Sequence, residues 1–352
     1  MSVAALPAPA AAGRFPALMA AGLSGLAALA ALHIAVGTVE LTPAQVIAAL
    51  LGRPEEALHA QVVWSLRLPR ALVALAAGAM LGTAGALLQI VTRNPLAEPG
   101  LIGVSAGAVL AIVAAILWGA PEGVLLPLWG VGGGLAAGAL AYGLSLSRGS
   151  DPARLVLMGV LVGGLCSALT NALLLGARET EVMRIVRWTV GSTQGRVWVH
   201  LQTLLPYLAL GLPMALLSAG VANALQLGDE TARSLGQRAE AARLWLLLVA
   251  ATLTAGAVAV VGAVGLVGLI GPHMARRLVG SDARRLLPAS ALAAAALLLG
   301  ADILARTVEI GWIGLAVGLD LPEGSGLPVG AVTALLGIPF FLALLLRPGG
   351  PR

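Results

Sequence analysis

An all-α integral membrane protein of about ten transmembrane helices is the fold class that this 352-residue chain predicts. Three observations carry the prediction. Hydrophobic residues make up 59% of the chain and charged residues only 11%, less than half of the roughly one quarter found in soluble domains; mean hydropathy is +0.96. Ten apolar runs approach or exceed the about 20 residues needed to cross a bilayer core of about 30 Å. Glycines, 46 in all, recur at a spacing of four, which lets membrane helices approach closely.

The runs justify themselves in order. Residues 16–36 follow Arg14 and a tail over 1–15, with no clean cleavage site before Thr38, so they read as a retained span and not a signal peptide. The second run, 69–91, must end near Thr92, because Pro95 and Pro99 cannot continue a helix and restrict the residues before them. The third and fourth, 100–118 and 123–146, carry Gly103 with Gly107 and Gly130 with Gly134 and Gly138. The fifth, 153–176, holds Gly159, Gly163 and the single cysteine, Cys166, which excludes an intramolecular disulfide framework. The sixth is 197–219. The seventh, 243–261, and the short eighth, 263–279, are separated only by Gly262 and its neighbours. The ninth is 285–305 and the tenth 327–346. Two further pieces do not span. Residues 179–195 read as an interfacial helix. Residues 222–242, "ANALQLGDETARSLGQRAEAA", form the longest polar stretch between spans and read as a helical hairpin that presents a surface to a soluble partner.

Orientation follows from arginine, because basic loops stay in the cytoplasm. All 21 basic residues are Arg, which a GC-rich coding bias explains without special chemistry. With both termini inside, thirteen arginines lie on the cytoplasmic side and eight outside, namely Arg53, Arg67, Arg70, Arg178, Arg184, Arg187, Arg196 and Arg306. The isoelectric point near 10.8 then reflects loops beside anionic lipid, and no nucleic-acid partner is expected. The four histidines show no metal-ligand spacing, and no phosphate loop or hydrolase motif is present, so neither a metal, a cofactor nor intrinsic ATP hydrolysis is expected. His273 after Pro272 reads as structural.

Several stretches admit a plain and a functional reading. In "TRNPLAEPGLIGVSAGA", Asn94 serves either as a helix C-cap or as part of a functional loop. Arg67 and Arg70, flanking Pro69, are either snorkelling anchors or a docking surface. Arg306 pairs with Asp302 four residues earlier or faces a partner. "LGDETARSLG", residues 227–236, is a solvated loop or a contact element.

The order of these blocks is what resembles a known family. "LRLPRALVALAAGAMLGTAGALLQIVTRNPLAEPGLIGVSAGA", "LGDETARSLG", "GLVGLIGPHMARRLVG", "ADILAR" and "LPVGAVTALLGIPFFLALLLR" resemble the FecCD-type permeases, membrane subunits of ABC importers for iron-siderophores, haem and vitamin B12. The resemblance covers about residues 15–347. It implies a type II ABC importer permease fold in one domain over 1–352, with two copies of the chain around one pathway. It also implies two ABC ATPase subunits beneath and one periplasmic substrate-binding protein above, in the inner membrane. Residue by residue, it implies that Arg67, Arg70 and Arg306 dock the binding protein and that Asn94 and Leu96 contribute to a cytoplasmic gate. Asp229, Glu230, Arg233, Ser234 and Gly236, within 222–242, would couple to the ATPase. One departure stands out: residues 307–326, "TVEIGWIGLAVGLDLPEGSG", are longer than the family pattern by about a dozen residues, judged against short connections. A competing reading is an ion-coupled secondary transporter, which would need ionisable groups at mid-membrane. Only Asp302 lies within a span, near its outer end.

Overall fold

The computed structural model describes residues 10–37, 39–120, 125–146, 152–308 and 326–346. Most of the unusual 307–326 segment lies outside the described residues, as do residues 1–9 of the N-terminal tail. Among the described residues the chain is a bundle of helices without β-strand elements.

Each of the ten expected spans has a helix. They are α1 (Ala10–Ala35), α4 (Leu68–Thr92), α5 (Val104–Leu117), α6 (Leu125–Ser145), α7 (Pro152–Leu175), α9 (Trp198–Leu217), α12 (Ala239–Val261), α13 (Val267–Val279), α14 (Ala283–Thr307) and α15 (Val329–Leu345). Between them lie α2 (Pro43–Leu50), α3 (Ala57–Gln61), α8 (Glu179–Val190), α10 (Ala219–Gln226) and α11 (Asp229–Ser234). The predicted stretch 179–195 contains α8, and 222–242 contains the end of α10, all of α11 and the first turn of α12. The centre of the core is α4, packed on α12, α13 and α14; α1 lies on the rim, and 11% of its most apolar stretch is buried.

Two elements depart from expectation. The second span begins earlier than residue 69: α3 continues through a π-helical stretch, Val62–Arg67, into α4. Pro69 has no N–H to donate to the preceding turn, and the widened stretch accommodates its ring. Helix α2 was not expected, although its start is written in the sequence. Thr42 Oγ1 accepts from Gln45 N–H and Gln45 Oε1 accepts from Thr42 N–H, a capping box with Pro43 behind the cap.

The small-residue spacing is used as steric clearance. A Cβ on Gly82 would lie 2.4 Å from the Ser290 carbonyl oxygen, and one on Gly78 would lie 2.7 Å from that of Ala294, so α4 and α14 touch backbone to backbone. The tightest approach along α4 is Gly85, where a Cβ would fall 1.8 Å from the Gly268 carbonyl oxygen of α13. Gly85→Ala must therefore push two buried helices apart. Overpacking of this kind costs about 1–3 kcal/mol or more. Gly85→Ala is expected to lower the thermal unfolding midpoint in detergent clearly, whereas Gly25→Ala, with nothing within 4 Å, should leave it unchanged or slightly raised. Equal behaviour of the two variants would contradict the packing.

Helices α5 and α13 have 14 and 13 residues, about 20 Å each at 1.5 Å per residue and too short for a full bilayer core. Gly268, at the start of α13, sits beside Gly85, seven residues before the end of α4 and so about 10 Å into the bundle. Irregular backbone at that depth is tolerated only where protein buries it. The 93–103 loop provides the cover. Glu98 accepts the Leu266 N–H at the start of α13, the end of a helix that favours negative charge, and the Pro99 ring packs where Gly268 leaves room. This is the physical reason for a polar, proline-rich kink in an apolar chain.

Candidate functional site

The polar chemistry collects at the two ends of the bundle. At one end, Asp302 of α14 is fully buried. Its Oδ2 accepts from Arg70 Nε at 2.9 Å and lies 2.6 Å from His33 Nε2; its Oδ1 accepts from Arg70 Nη2 at 2.8 Å and from Thr193 Oγ1. The planar fork of Arg70 thus meets the carboxylate with two parallel bonds, the strongest arrangement such groups offer. Arg306 Nε is 3.9 Å from Asp302 Oδ2, so the expected one-turn pair exists. Its two Nη atoms instead donate to the carbonyls of His33 and Val36 at 3.0 and 3.2 Å. Arg67 is 5% exposed and donates to the carbonyls of Ile34, Ala35 and Val39.

These bonds tie the end of α1 to α4, α14 and the loop after α8. They satisfy carbonyl groups that the C-terminus of α1 would otherwise leave orphaned. Arg67, Arg70 and Arg306 also line one cavity of about 300 Å³, with Gln194 and Leu327 on its wall. The three arginines assigned to docking are therefore brought together, as the frame of that cavity. Their guanidinium groups are engaged by Asp302 and main-chain carbonyls. Sequence reasoning placed Asp302 but missed His33 and Thr193, which are 269 and 109 residues away from it.

At the other end, α4 finishes on Arg93, whose φ of 51° and ψ of 30° are left-handed. Arg93 N–H donates to the Ile90 carbonyl and Asn94 N–H to that of Gln89, the bond pattern of a Schellman close. The cap is thus Arg93 and not Asn94. The Asn94 side chain turns the next segment instead, accepting from Leu96 N–H at 2.9 Å, and Leu96 is left exposed. A left-handed non-glycine residue costs roughly 1–2 kcal/mol. Arg93 retains a side chain because that side chain is used: its Nε donates to the Leu225 carbonyl at 3.1 Å and its Nη2 to Asp229 Oδ1.

Asp229 opens α11 and also accepts from Arg243 Nη2 of α12, at 2.9 Å to Oδ1 and 2.8 Å to Oδ2. Burial alone would raise the Asp229 carboxyl. The hydrogen bonds and charges of Arg243 and Arg93 outweigh that and hold it below the ordinary carboxylate value. One carboxylate therefore joins the 93–103 loop, α11 and α12. Glu230, Arg233, Ser234 and Gly236 are exposed on α11 and its C-terminal turn, while Ala232 is fully buried beneath them. Leu227 and Leu235 stand 66% and 60% exposed on either side. The five assigned coupling residues share one short element with an outward polar face and two bare leucines. Arg93 and Arg243 were not predicted for it. The signal for Arg93 was its position directly after a span and two residues before Pro95, which demands an abrupt helix end.

The chain has the same architecture as a solved transporter, described as an inward-facing conformation of a metal-chelate type ABC transporter. The TM-score is 0.81 at 29% identity, covering 94% of this chain and 99% of that one. It is 40% identical to the hemin transport system permease protein HmuU of Yersinia pestis over 81% of this chain and 83% of that protein. In Bacillus subtilis it resembles two Fe(3+)-citrate import system permease proteins. YfmD is 39% identical over 80% of each chain, and YfmE 36% identical over 91% of this chain and 92% of YfmE. The model of the FecCD transport family matches residues 25–347, which takes in both polar ends, the last part of α1 and the nine later span helices, and the chain belongs to that family.

Proposed function

We propose that the chain is the transmembrane pathway subunit of an ATP-driven importer for an iron-siderophore, haem or cobalamin-type cargo. Two copies enclose one path in the inner membrane of a bacterium, with both termini in the cytoplasm. Two separate ATPase subunits bind beneath, at the Asp229 end, and a periplasmic substrate-binding protein docks above, at the cavity framed by Arg67, Arg70 and Arg306. The observation that carries the reading is α11: a short helix pinned from behind by Asp229, presenting Glu230, Arg233 and Ser234 between exposed Leu227 and Leu235. Exposed apolar side chains within a polar rim mark a protein contact, and an ion-coupled transporter has no use for such a surface. Asn94 and Leu96, on the loop that Arg93 ties to α11, serve as the cytoplasmic gate. YfmD and YfmE of Bacillus subtilis are two different permease proteins of Fe(3+)-citrate import, and a pair with a second, related permease is the alternative to a homodimer.

Reconstitution tests the reading. Proteoliposomes holding the chain, its ATPase and its binding protein should accumulate one of ferric citrate, a ferric hydroxamate, haemin or cobalamin. Accumulation should occur only with ATP on the ATPase side and binding protein on the other. The purified chain alone should hydrolyse no ATP above background. Accumulation driven by an ion gradient without ATP would establish the secondary-transporter reading instead.

A further inference from the structure

The Asp302 end holds a second group of arginines that the importer reading leaves without a task. A cavity of about 460 Å³ opens between the starts of α6 and α9 and the end of α8, within the roughly 300–1,000 Å³ of small-molecule sites. Arg184, Arg187, Arg196 and His200 contribute its polar wall, and Trp188 and Leu126 its apolar one; no acidic side chain lines it among the described residues. The Arg196 guanidinium lies 4.8 Å over the Trp188 ring, and its buried Nε has no hydrogen-bond partner among the described residues. Burial, and after it the charge of Arg187, lower Arg196 to about 10, the direction of a cation short of counter-charge.

The hydrogen-bond pattern is unresolved in a specific way. Val197 N–H donates to His200 Nδ1 at 3.1 Å. A neutral imidazole whose Nδ1 accepts carries its hydrogen on Nε2. His200 Nε2 is 3.2 Å from Arg196 Nη1, and a guanidinium has only donors. Two donors therefore face each other. The other tautomer moves the same conflict to Val197 N–H, and protonation leaves both. An acceptor entering from the cavity removes it.

We propose that this cavity is a binding site for a small carboxylate anion. The Arg196 fork and His200 Nε2–H donate to the carboxylate, and Trp188 and Leu126 cover the carbon body. A carboxylate fits because its two oxygens match the planar spacing of a guanidinium, while Arg187 adds charge at the exposed rim. The inference rests on the reading that this end faces the incoming cargo, and deepens it: the entrance prefers chelates that carry free carboxylates over neutral ones.

The full-length chain in phosphatidylcholine nanodiscs is titrated with labelled citrate, ferric citrate and a neutral ferric trihydroxamate. Citrate and ferric citrate should bind saturably and the trihydroxamate should not compete. Arg196→Gln should weaken citrate at least tenfold, and Arg196→Lys, which keeps charge without the fork, less. His200→Leu should weaken it severalfold, and it carries the test if the Arg196 variants do not fold. Non-saturable citrate binding, or wild-type affinity in Arg196→Gln or His200→Leu, overturns the proposal. So does loss of citrate binding in phosphatidylglycerol nanodiscs, which would give the site to a lipid headgroup. ATP-driven uptake by the wild-type complex is measured in parallel. A complex that transports while its permease ignores citrate defeats only this inference, whereas one that transports no cargo defeats the importer reading whatever citrate does.

Discussion

Asp302→Ala is expected to cost about 3–5 kcal/mol of stability, the range for removing one partner of a buried ionic group. The loss is a large share of the about 5–15 kcal/mol that holds a typical protein folded. Among the described residues, the carboxylate is the single acid that Arg70, His33, Thr193 and Arg306 approach. Without it the Arg70 fork loses both bonds while Arg306 stays beside it, leaving two largely enclosed cations without their shared counter-charge. Asp302→Asn keeps the shape and one acceptor oxygen but drops the charge, so it should be milder and still clearly destabilising. Arg70→Gln should recover part of the loss in the Asp302→Asn background, because the uncompensated cation goes with it, and a double-mutant cycle measures that coupling. The readout is the thermal unfolding midpoint of detergent-solubilised protein together with the yield of monodisperse material. An Asp302→Ala midpoint within error of the wild type would mean that the cluster does not hold α1, α4 and α14 together.

The same geometry governs how docking is tested. Reversing Arg67, Arg70 and Arg306 to Glu together would place acids against Asp302 and against main-chain carbonyls, so lost docking would be confounded with lost folding. Arg→Lys changes keep the charge that a partner protein sees while removing forked bonds, and they separate the two effects.

The span pattern was legible because a bilayer imposes a length that local composition must meet. Runs such as 153–176 and 285–305 differ from α7 and α14 by a residue or two at each end. The packing spacing of Gly78 and Gly82 was legible for the same reason, since the α4–α14 contact repeats along one helix face. What escaped were relations between segments. Nothing local to His33 announces Asp302, and nothing local to Glu98 announces the Leu266 N–H. Each is a buried polar group whose partner is chosen by tertiary packing. The plain reading of Asn94 as the cap fails for a different reason: asparagine tolerates a left-handed cap, yet the residue in that conformation is Arg93, whose long side chain reaches Leu225 and Asp229 from that position. At the Asp229 end the whole assigned set lies on one helix and its flanking turn, so a contiguous motif sufficed; at the Asp302 end the three arginines come from two helices and the π-helical stretch before one of them.

Asp229→Lys should abolish coupled transport with little loss of folded protein. The substitution puts a third cation beside Arg93 and Arg243 and reverses both contacts. Asp229 is about a quarter exposed and Arg93 about a third, so water screens much of the penalty; single exposed pairs are worth only about 0.2–1 kcal/mol. Arg243 is far more enclosed and supplies most of the cost, which should stay near 1–3 kcal/mol, as for a charged hydrogen bond. The functional effect should be much larger than the stability effect. With Arg93 and Arg243 both released from α11, the 93–103 loop keeps only the Arg93 bond to the Leu225 carbonyl of α10, so movement of α11 reaches the loop, and through its Glu98 the start of α13, only weakly. Uptake into proteoliposomes should fall at least tenfold, while ATP hydrolysis by the assembled complex continues and the binding protein still docks. Exposed Glu230→Gln should have a smaller effect on uptake, since it alters the outer face of α11 and leaves its anchorage intact. The charge swap Asp229→Arg with Arg93→Asp should restore part of the uptake, because the link between loop and helix is remade with reversed sign even though Arg243 loses its bonds to Asp229. Full uptake in Asp229→Lys would separate the 93–103 loop from α11 and count against the proposed coupling through Asp229.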